Sequence, residues 1–600
     1  MCATILMCLM ALFCLCFAGA ALAVTEADVI YRKAPPLSDP RCNYPGFKPG
    51  TSVLPKGTVI KKDHKPLECD ILFERDVAIK MRDGVTLYAD IYRPVGDGKV
   101  PAILNSSTFG KAKLETGPSM WPGEAPPPEH AYSMPGVPKA WTSGLETVEG
   151  TDPGFFVKHG YALINLDIRG CYMSEGKGQY FGTQEAEDDY DVIEFLAVQD
   201  WCNGRVAMTG NSWLGIVQWF AGAEQPPHLA CLAPWEGWSD MYRDEYVIGG
   251  IANLPGFRFN NSYNDTELME DVVANALAHP LFDEYWEDKA AKVENITVPI
   301  YITASWSSGI HTQGTIRAWR NVSSKDKWLR LHNTQEWRDM YIEEHSLDML
   351  KFFDYYMKDK QNGWEKTPRV KISVLDPGGT DIVERVEEAF PLKRQELTEL
   401  YLDASDLSVT KAPRKKESSV SYSGWNEKSV VKFNYEFDRE SEIVGYMNLK
   451  LWVESYGYND MDIFVKISKV GPDGEYLYHY PVTTGYYPAV YSGPKGRLRV
   501  SLRKLDSEKS TVNEPYYPFN ESRKLLPHEI VPVEIAIWPT GLRFHPGETL
   551  EIAIAGFPYE AAATHDDAMI KMDIDNNGNH IIHTGGQYDS KLIVPFIPLD

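Results

Sequence analysis

The segment Gly210-Asn211-Ser212-Trp213-Leu214-Gly215 has the residue types of a tight turn that presents a serine hydroxyl for attack on a carbonyl carbon. Arg205-Val206-Ala207-Met208-Thr209 runs into it as a strand, and a helical pattern over Leu214–Ala223 leaves it. Flanking glycines suit such a strand-to-helix turn, because its backbone is strained and bulkier neighbours would block the serine. The spacing G-x-S-x-x-G is looser than the commonest esterase turn, and an ordinary strand-to-helix loop is the alternative. A serine is a weak nucleophile alone, so its meaning depends on finding a base and a carboxylate to orient that base.

The elements that must position it follow from hydrophobic patterning. Asp76–Met81 and Val85–Tyr92 alternate around Arg82-Asp83-Gly84, which predicts a hairpin. Continuous apolar runs at Val100–Leu104, Tyr161–Leu166, Val206–Met208, Leu229–Ala233, Val298–Thr303 and Trp328–Leu331 predict strands buried on both faces. Helical patterns at Glu185–Val198, Leu214–Ala223, Thr312–Arg320 and His345–Met357 lie between or after them. Alternation of this kind implies an α/β core with a mostly parallel sheet and functional loops at the strands' C-terminal ends. From about residue 370 the pattern changes to short alternating strands with turn signals, as in an all-β domain.

Six hundred residues exceed what one core organises, so two or three domains are expected. With 43% hydrophobic and 12% aromatic residues the chain is globular, and its formal charge of −24 excludes nucleic acid as an expected partner. No cofactor or metal is expected: zinc-ligand spacing, a phosphate-binding glycine loop and a dinucleotide fingerprint are all missing from the sequence. Asp573-Ile574-Asp575-Asn576-Asn577-Gly578 begins like a calcium loop, but its twelfth position is Thr584 instead of a bidentate glutamate, so it reads as a turn.

Further residues carry a family resemblance. They are Met81-Arg82-Asp83-Gly84, Asp167-Ile168-Arg169-Gly170, Ser174-Glu175-Gly176, Glu187-Asp188-Asp189 with Asp191, Gln199-Asp200-Trp201-Cys202-Asn203-Gly204, the Ser212 turn, Gly471-Pro472-Asp473-Gly474 and Leu592-Ile593-Val594-Pro595. In these the chain resembles the cocaine esterase and X-Pro dipeptidyl-peptidase (CocE/NonD, S15-like) family of α/β-hydrolases. The resemblance implies an α/β-hydrolase core (71–234 and 296–369), a helical cap (235–295) and a C-terminal jelly-roll β-sandwich (370–600). It also implies acyl transfer from a small, partly apolar ester or amide to water, with Ser212 as nucleophile and the backbone N–H of Trp213 as an oxyanion donor.

The rest of the family's site does not carry over. Ser308 stands where the acid is expected, Glu336 where the histidine is expected, and Phe109 where close relatives have an oxyanion tyrosine. Two readings remain. In one, the triad is exchanged between loops, with His311 as base and Glu336 as its orienter; His332 is a second candidate base. In the other, hydrolysis is lost and the fold binds a ligand or catalyses an isomerisation, cyclisation or elimination with Glu336 as general base.

The N-terminus, Ile5 to Phe17 followed by Ala21-Leu22-Ala23, predicts a signal peptide over 1–23, hence secretion without stable membrane insertion. Acceptor patterns for N-glycosylation start at Asn105, Asn260, Asn264, Asn295, Asn321 and Asn520, with Asn105 expected to be buried. Residues 24–70 read as a surface arm. Of five cysteines beyond the leader, Cys42–Cys69 and Cys171–Cys202 are the pairings suggested by proximity along the chain, leaving Cys231 as a buried thiol. The oligomeric state is left open.

Overall fold

A computed structural model describes residues 29–39, 42, 44–111, 136–254, 262–481, 490–558 and 572–599. The predicted leader, and the acceptor at Asn260, lie outside the described residues.

The apolar runs form an 11-stranded sheet. Its strands are β2 (Gly50–Leu54), β3 (Ile71–Lys80), β4 (Thr86–Pro94), β5 (Val100–Ser107), β6 (Ala162–Asp167), β7 (Cys202–Asn211), β8 (Leu229–Trp235), β10 (Ile300–Ser305), β11 (Lys327–His332), β12 (Val370–Val374) and β13 (Ile382–Glu387). Two short strands outside it, β1 (Tyr31–Lys33) and β9 (Leu268–Glu270), pair with each other. The spatial order is β13-β12-β11-β10-β8-β7-β5-β6-β4-β3-β2, with parallel pairing from β6 through β12 and antiparallel strands at both ends.

Side chains alternate across this sheet with the two-residue period of a strand. Ile103, Leu163, Ala207, Cys231 and Tyr301 pack on one face against Phe352 and Phe353 of the helix Glu343–Lys358. Ala102, Leu104, Ile164, Met208 and Ile302 face the opposite core, to which the helices Thr183–Ala197, Trp213–Ala223 and Thr312–Asn321 contribute. Both faces are covered, which is why these strands read as unbroken apolar runs.

The sheet continues past the expected domain boundary at 370. β12 adds to β11 in parallel and β13 closes the edge, so the change to all-β structure comes after Glu387. The alternating pattern of β12–β13 belongs to a sheet edge, where one strand is antiparallel and half exposed. The arm also does more than cover the surface: β2 is an edge strand of the sheet, and β1 ties the arm to the cap through β9.

The remaining strands are β14 (Glu396–Asp403), β15 (Ser408–Thr410), β16 (Ser418–Ser423), β17 (Val430–Glu436), β18 (Ser441–Tyr456), β19 (Asp462–Val470), β20 (Tyr476–Leu477), β21 (Lys495–Arg499), β22 (Val531–Phe544), β23 (Thr549–Ala555), β24 (Asn579–Thr584) and β25 (Lys591–Ile597). They form the expected all-β domain with a different closure. Hydrogen bonding runs β18-β22-β21-β19-β23-β17-β15-β14-β25 and returns from β25 to β18, so nine strands close a ring instead of stacking as two separate sheets. The long strands β18 and β22 allow this, because one strand of 16 residues can serve different neighbours along its length.

Among the described residues of the cap region 235–295 the helices are short, among them Val272–Ala278 and Glu284–Asp288. Its aromatics, Trp235, Trp238, Tyr242, Tyr246 and Trp286, are buried in the cores. Tyr242 packs against Phe282, Trp286 and Phe519, the last from the β domain. These rings hold the cap to its neighbours.

All five described cysteines are free thiols, so neither suggested pairing is present. The Cys171 thiol donates to the Ser262 hydroxyl and shares a hydrogen bond with the Thr108 hydroxyl inside the core, and Cys42 and Cys69 belong to different apolar clusters. Closeness along the chain did not bring their side chains together. In the segment 573–578, Asn576 bonds to the backbone of Asp462 and Gly556, and Asp575 accepts from Tyr458 and Lys524.

Candidate active site

Ser212 sits at the C-terminal end of β7 with φ 54° and ψ −116°, a left-handed conformation that costs a non-glycine residue about 1–3 kcal/mol. Two glycines permit it. A Cβ on Gly210 would lie 2.4 Å from the Leu214 side chain, and one on Gly215 would lie 2.7 Å from the Glu236 carbonyl oxygen. The helix Trp213–Ala223 starts immediately after the serine, so its first N–H groups face the space beside the hydroxyl.

The turn is held from both sides by two other strained residues. Glu149 has φ 63° and its carbonyl accepts the Asn211 N–H at 3.0 Å. Glu236 has φ 42° and its carbonyl accepts the Ser212 N–H at 2.8 Å. Three non-glycine residues with positive φ therefore meet at one strand end, a concentration of strain typical of functional sites.

Glu236 follows β8, His311 lies beyond β10 at the start of the helix Thr312–Asn321, and Glu336 lies beyond β11 as the first residue of the helix Glu336–Tyr341. Adjacent strand ends thus deliver them beside the elbow. His311 is buried, and its Nδ1 stands 3.8 Å from Glu236 Oε2 and 3.8 Å from Glu336 Oε2. These are ion-pair separations, longer than a hydrogen bond. His332, also buried, places Nε2 2.9 Å from Glu236 Oε1. Among the described residues the Ser212 hydroxyl has no hydrogen-bond partner.

The two glutamates differ in charge. Burial drives the Glu236 carboxyl well above the usual carboxylate range, and the neighbouring Glu336 charge pushes it further. Burial also opposes ionisation of Glu336, but the His311 imidazole overrides it and holds that carboxyl below its ordinary value. The surroundings thus favour the neutral form of Glu236 and the anionic form of Glu336. A third, Glu149, is raised by burial to about 7, while accepting the indole N–H of Trp337 at 2.6 Å and the Asn211 amide at 3.2 Å. His332 is pushed down to about 4 by burial, which makes it a neutral neighbour instead of a base.

The sequence-predicted residues are brought together unequally. Ser212, Trp213, His311 and Glu336 converge on one end of the sheet. Ser308, in the position where the resemblance implied an acid, caps the turn: its hydroxyl accepts the His311 N–H and its carbonyl accepts the Thr312 hydroxyl. Phe109 packs edge-on against Trp213, and its carbonyl accepts the Tyr172 hydroxyl at 3.3 Å. Its loop is anchored by Lys111, whose ammonium lies 2.6 Å from Asp167 and 2.9 Å from Asp76. Trp213 directs its indole N–H to Glu185 at 2.9 Å.

Sequence reasoning missed Glu236 and Glu149. Glu236 was grouped with the cap, yet an acid followed by Gly237 at the end of the parallel strand beside the elbow strand was a usable signal. Glu149 had none, since the residues around it, 142–150, form neither helix nor strand. Donor atoms of Glu236, His311 and Glu336 all lie within 4.8 Å of one another, so this trio could also hold a divalent cation, which the sequence did not suggest.

The model of the X-Pro dipeptidyl-peptidase S15 family matches residues 83–271, and that of the X-Pro dipeptidyl-peptidase C-terminal non-catalytic domain matches 362–593. A CocE/NonD family hydrolase from Staphylococcus aureus superimposes with a TM-score of 0.82 at 34% identity, covering 92% of this chain and 97% of that one. Cocaine esterase of a Rhodococcus species is 25% identical over 398 residues, which span 56% of this chain and 63% of the esterase. An aminopeptidase from a marine-sediment thaumarchaeon shares the fold, with a TM-score of 0.63 at 17% identity over 88% of this chain and 97% of its own. The chain belongs to the CocE/NonD family of X-Pro dipeptidyl-peptidase-like α/β hydrolases.

Proposed function

We propose that the protein is a serine hydrolase that cleaves an ester or amide of a small molecule through an acyl-enzyme on Ser212. The observation that carries this reading is the pair of contacts from His311 Nδ1 to the two carboxyls, set beside a strained serine turn. With Nδ1 facing the Glu236 carboxyl and the Glu336 carboxylate, Nε2 is the nitrogen left to take the serine proton. Ser212 Oγ then bonds to the substrate carbonyl carbon, the N–H of Trp213 steadies the oxyanion, and the proton passes from His311 to the leaving group. Water repeats the sequence to release the acid.

Elimination or isomerisation with Glu336 as general base is disfavoured, because a carboxyl held below its ordinary range binds protons weakly. Secretion belongs to the same reading. The apolar N-terminus supports it, as do exposed acceptor sites at Asn295, Asn321 and Asn520, whereas Asn105 and Asn264 are buried. No described helix is long and apolar enough to cross a membrane.

A fluorophosphonate probe tests the proposal. We expect stoichiometric labelling that persists in EDTA and disappears in Ser212→Ala. Absence of labelling in the unaltered protein would overturn the serine mechanism, and labelling that needed an added divalent cation would transfer the chemistry to the Glu236–His311–Glu336 trio.

A further inference from the structure

Acyl transfer from Ser212 needs one imidazole and one carboxylate, yet a second buried carboxyl stands against the same ring. Glu236, His311 and Glu336 arrive from the ends of β8, β10 and β11, and one donor atom of each lies within 4.8 Å of the other two. His311 is 2% exposed, and its Nδ1 stands 3.8 Å from an oxygen of each glutamate without a hydrogen bond to any described residue. Buried polar atoms are ordinarily paired, so a ring nitrogen facing two carboxyl oxygens beyond hydrogen-bond reach marks room for a small partner between them.

Distance and charge select that partner. Zinc holds histidine nitrogens and carboxylate oxygens at about 2.0–2.2 Å, so these donors need to close in by only a few tenths of an ångström to bind it. Two carboxylates so close in a buried site repel each other, and a dication removes the repulsion: with a neutral imidazole the set then sums to zero charge. One nitrogen with two carboxylate oxygens suits Zn²⁺ or Co²⁺ better than Mg²⁺ or Ca²⁺, which take larger sets of oxygen donors.

The contacts that would orient such ligands are present as well. Ser305 Oγ donates to Glu236 Oε2 at 3.2 Å, His332 Nε2 stands 2.9 Å from Glu236 Oε1, and Ser308 Oγ accepts the His311 backbone N–H at 3.2 Å. Outer contacts of this kind set ligand geometry and raise metal affinity. The Glu336 side chain keeps 12% of its surface exposed, which gives an ion access to the trio.

We propose that Glu236, His311 and Glu336 form a Zn²⁺ site whose occupation switches the enzyme off. An ion on Nδ1 uses the lone pair of that nitrogen and fixes the ring proton on Nε2. Nε2 is the atom that must take the proton of Ser212, so the occupied ring is no longer a base. The switch rests on the serine-hydrolase reading; the ion site does not.

The test separates the two. The full-length Ser212→Ala protein, treated with EDTA and dialysed, is titrated with Zn²⁺ by calorimetry and with Co²⁺ by visible absorption. We expect one Zn²⁺ per chain, undisturbed by millimolar Mg²⁺ or Ca²⁺, and a Co²⁺ band that is lost in His311→Ala. Glu236→Gln and Glu336→Gln, which keep the shape of the side chain, should each weaken Zn²⁺ at least ~10-fold. Lack of binding, or binding unchanged in all three variants, would overturn the site. In the unaltered protein, saturating Zn²⁺ should slow fluorophosphonate labelling at least ~10-fold and EDTA should restore it; labelling unaffected by a filled site would overturn the switch. Zn²⁺ binding at the trio in a protein that never labels would keep the site and remove the switch along with the hydrolase reading. Labelling without Zn²⁺ binding would remove the site and leave that reading intact.

Discussion

The serine turn and the loops that surround it are built by different rules. The turn is specified locally: a strand, two glycines and a helix force Ser212 to φ 54°, and close contacts at Gly210 and Gly215 leave no room for other residues. The partners are specified globally. Glu236, His311 and Glu336 are separated by up to a hundred positions in sequence and meet only because β8, β10 and β11 lie side by side. Under the proposed mechanism, the serine turn is retained while its partners arrive from other positions on neighbouring strand ends.

Substitutions can break this contrast at several levels. The largest effect should come from the global side: His311→Ala is expected to lower kcat/KM for an ester substrate by about 10³–10⁴-fold while the fold, read by circular dichroism, is unchanged. An active His311→Ala protein would remove the imidazole from the mechanism. The two glutamates should then separate. Glu336→Gln removes the anion that faces His311 and should cost about 10²–10⁴-fold in kcat, whereas Glu236→Gln replaces a neutral carboxyl with a neutral amide and should cost less than about threefold. Equal losses would show that the charge assignment is reversed or shared.

On the local side, Gly215→Ala drives a methyl group against the Glu236 and Trp235 carbonyls and should destabilise by about 1–3 kcal/mol, read as a lowered thermal midpoint. No shift there would mean that the turn has slack. A pH dependence separates the buried imidazoles. His332 is held at about 4 in the folded state against about 6.5 when exposed, so the unfolded chain takes up a proton that the folded chain refuses. Its contribution to stability is present above pH 6.5 and is lost as pH falls from there towards 4. The midpoint of His332→Asn should decline less over that window than the parent's, and parallel declines would assign the effect elsewhere.

Legibility followed the same division. Helices at Thr183–Ala197, Trp213–Ala223, Thr312–Asn321 and Glu343–Lys358 lie where three- and four-residue periodicity put them, and the doubly buried strands lie where apolar runs put them. Both signals are local. The closure of β25 onto β18 and the extension of the first sheet to Glu387 depend on pairing between distant strands, which periodicity does not encode. In the site, Ser212 was readable from its glycines, and His311 and Glu336 from where an expected pattern failed. Glu149 was hidden because a residue in an irregular loop has no period to mark it. The cysteines show the converse: closeness in sequence predicted contacts that the fold does not make.

The three residues with positive φ at the head of the sheet have an evolutionary consequence. Ser212, Glu149 and Glu236 each hold a backbone state that glycine or asparagine would adopt with less cost. Exchanging Ser212 for such a residue should harden the protein against heat while removing the proposed nucleophile. A lineage selected only for durability would lose that serine early, so an intact Ser212 would mark descendants still under selection for turnover.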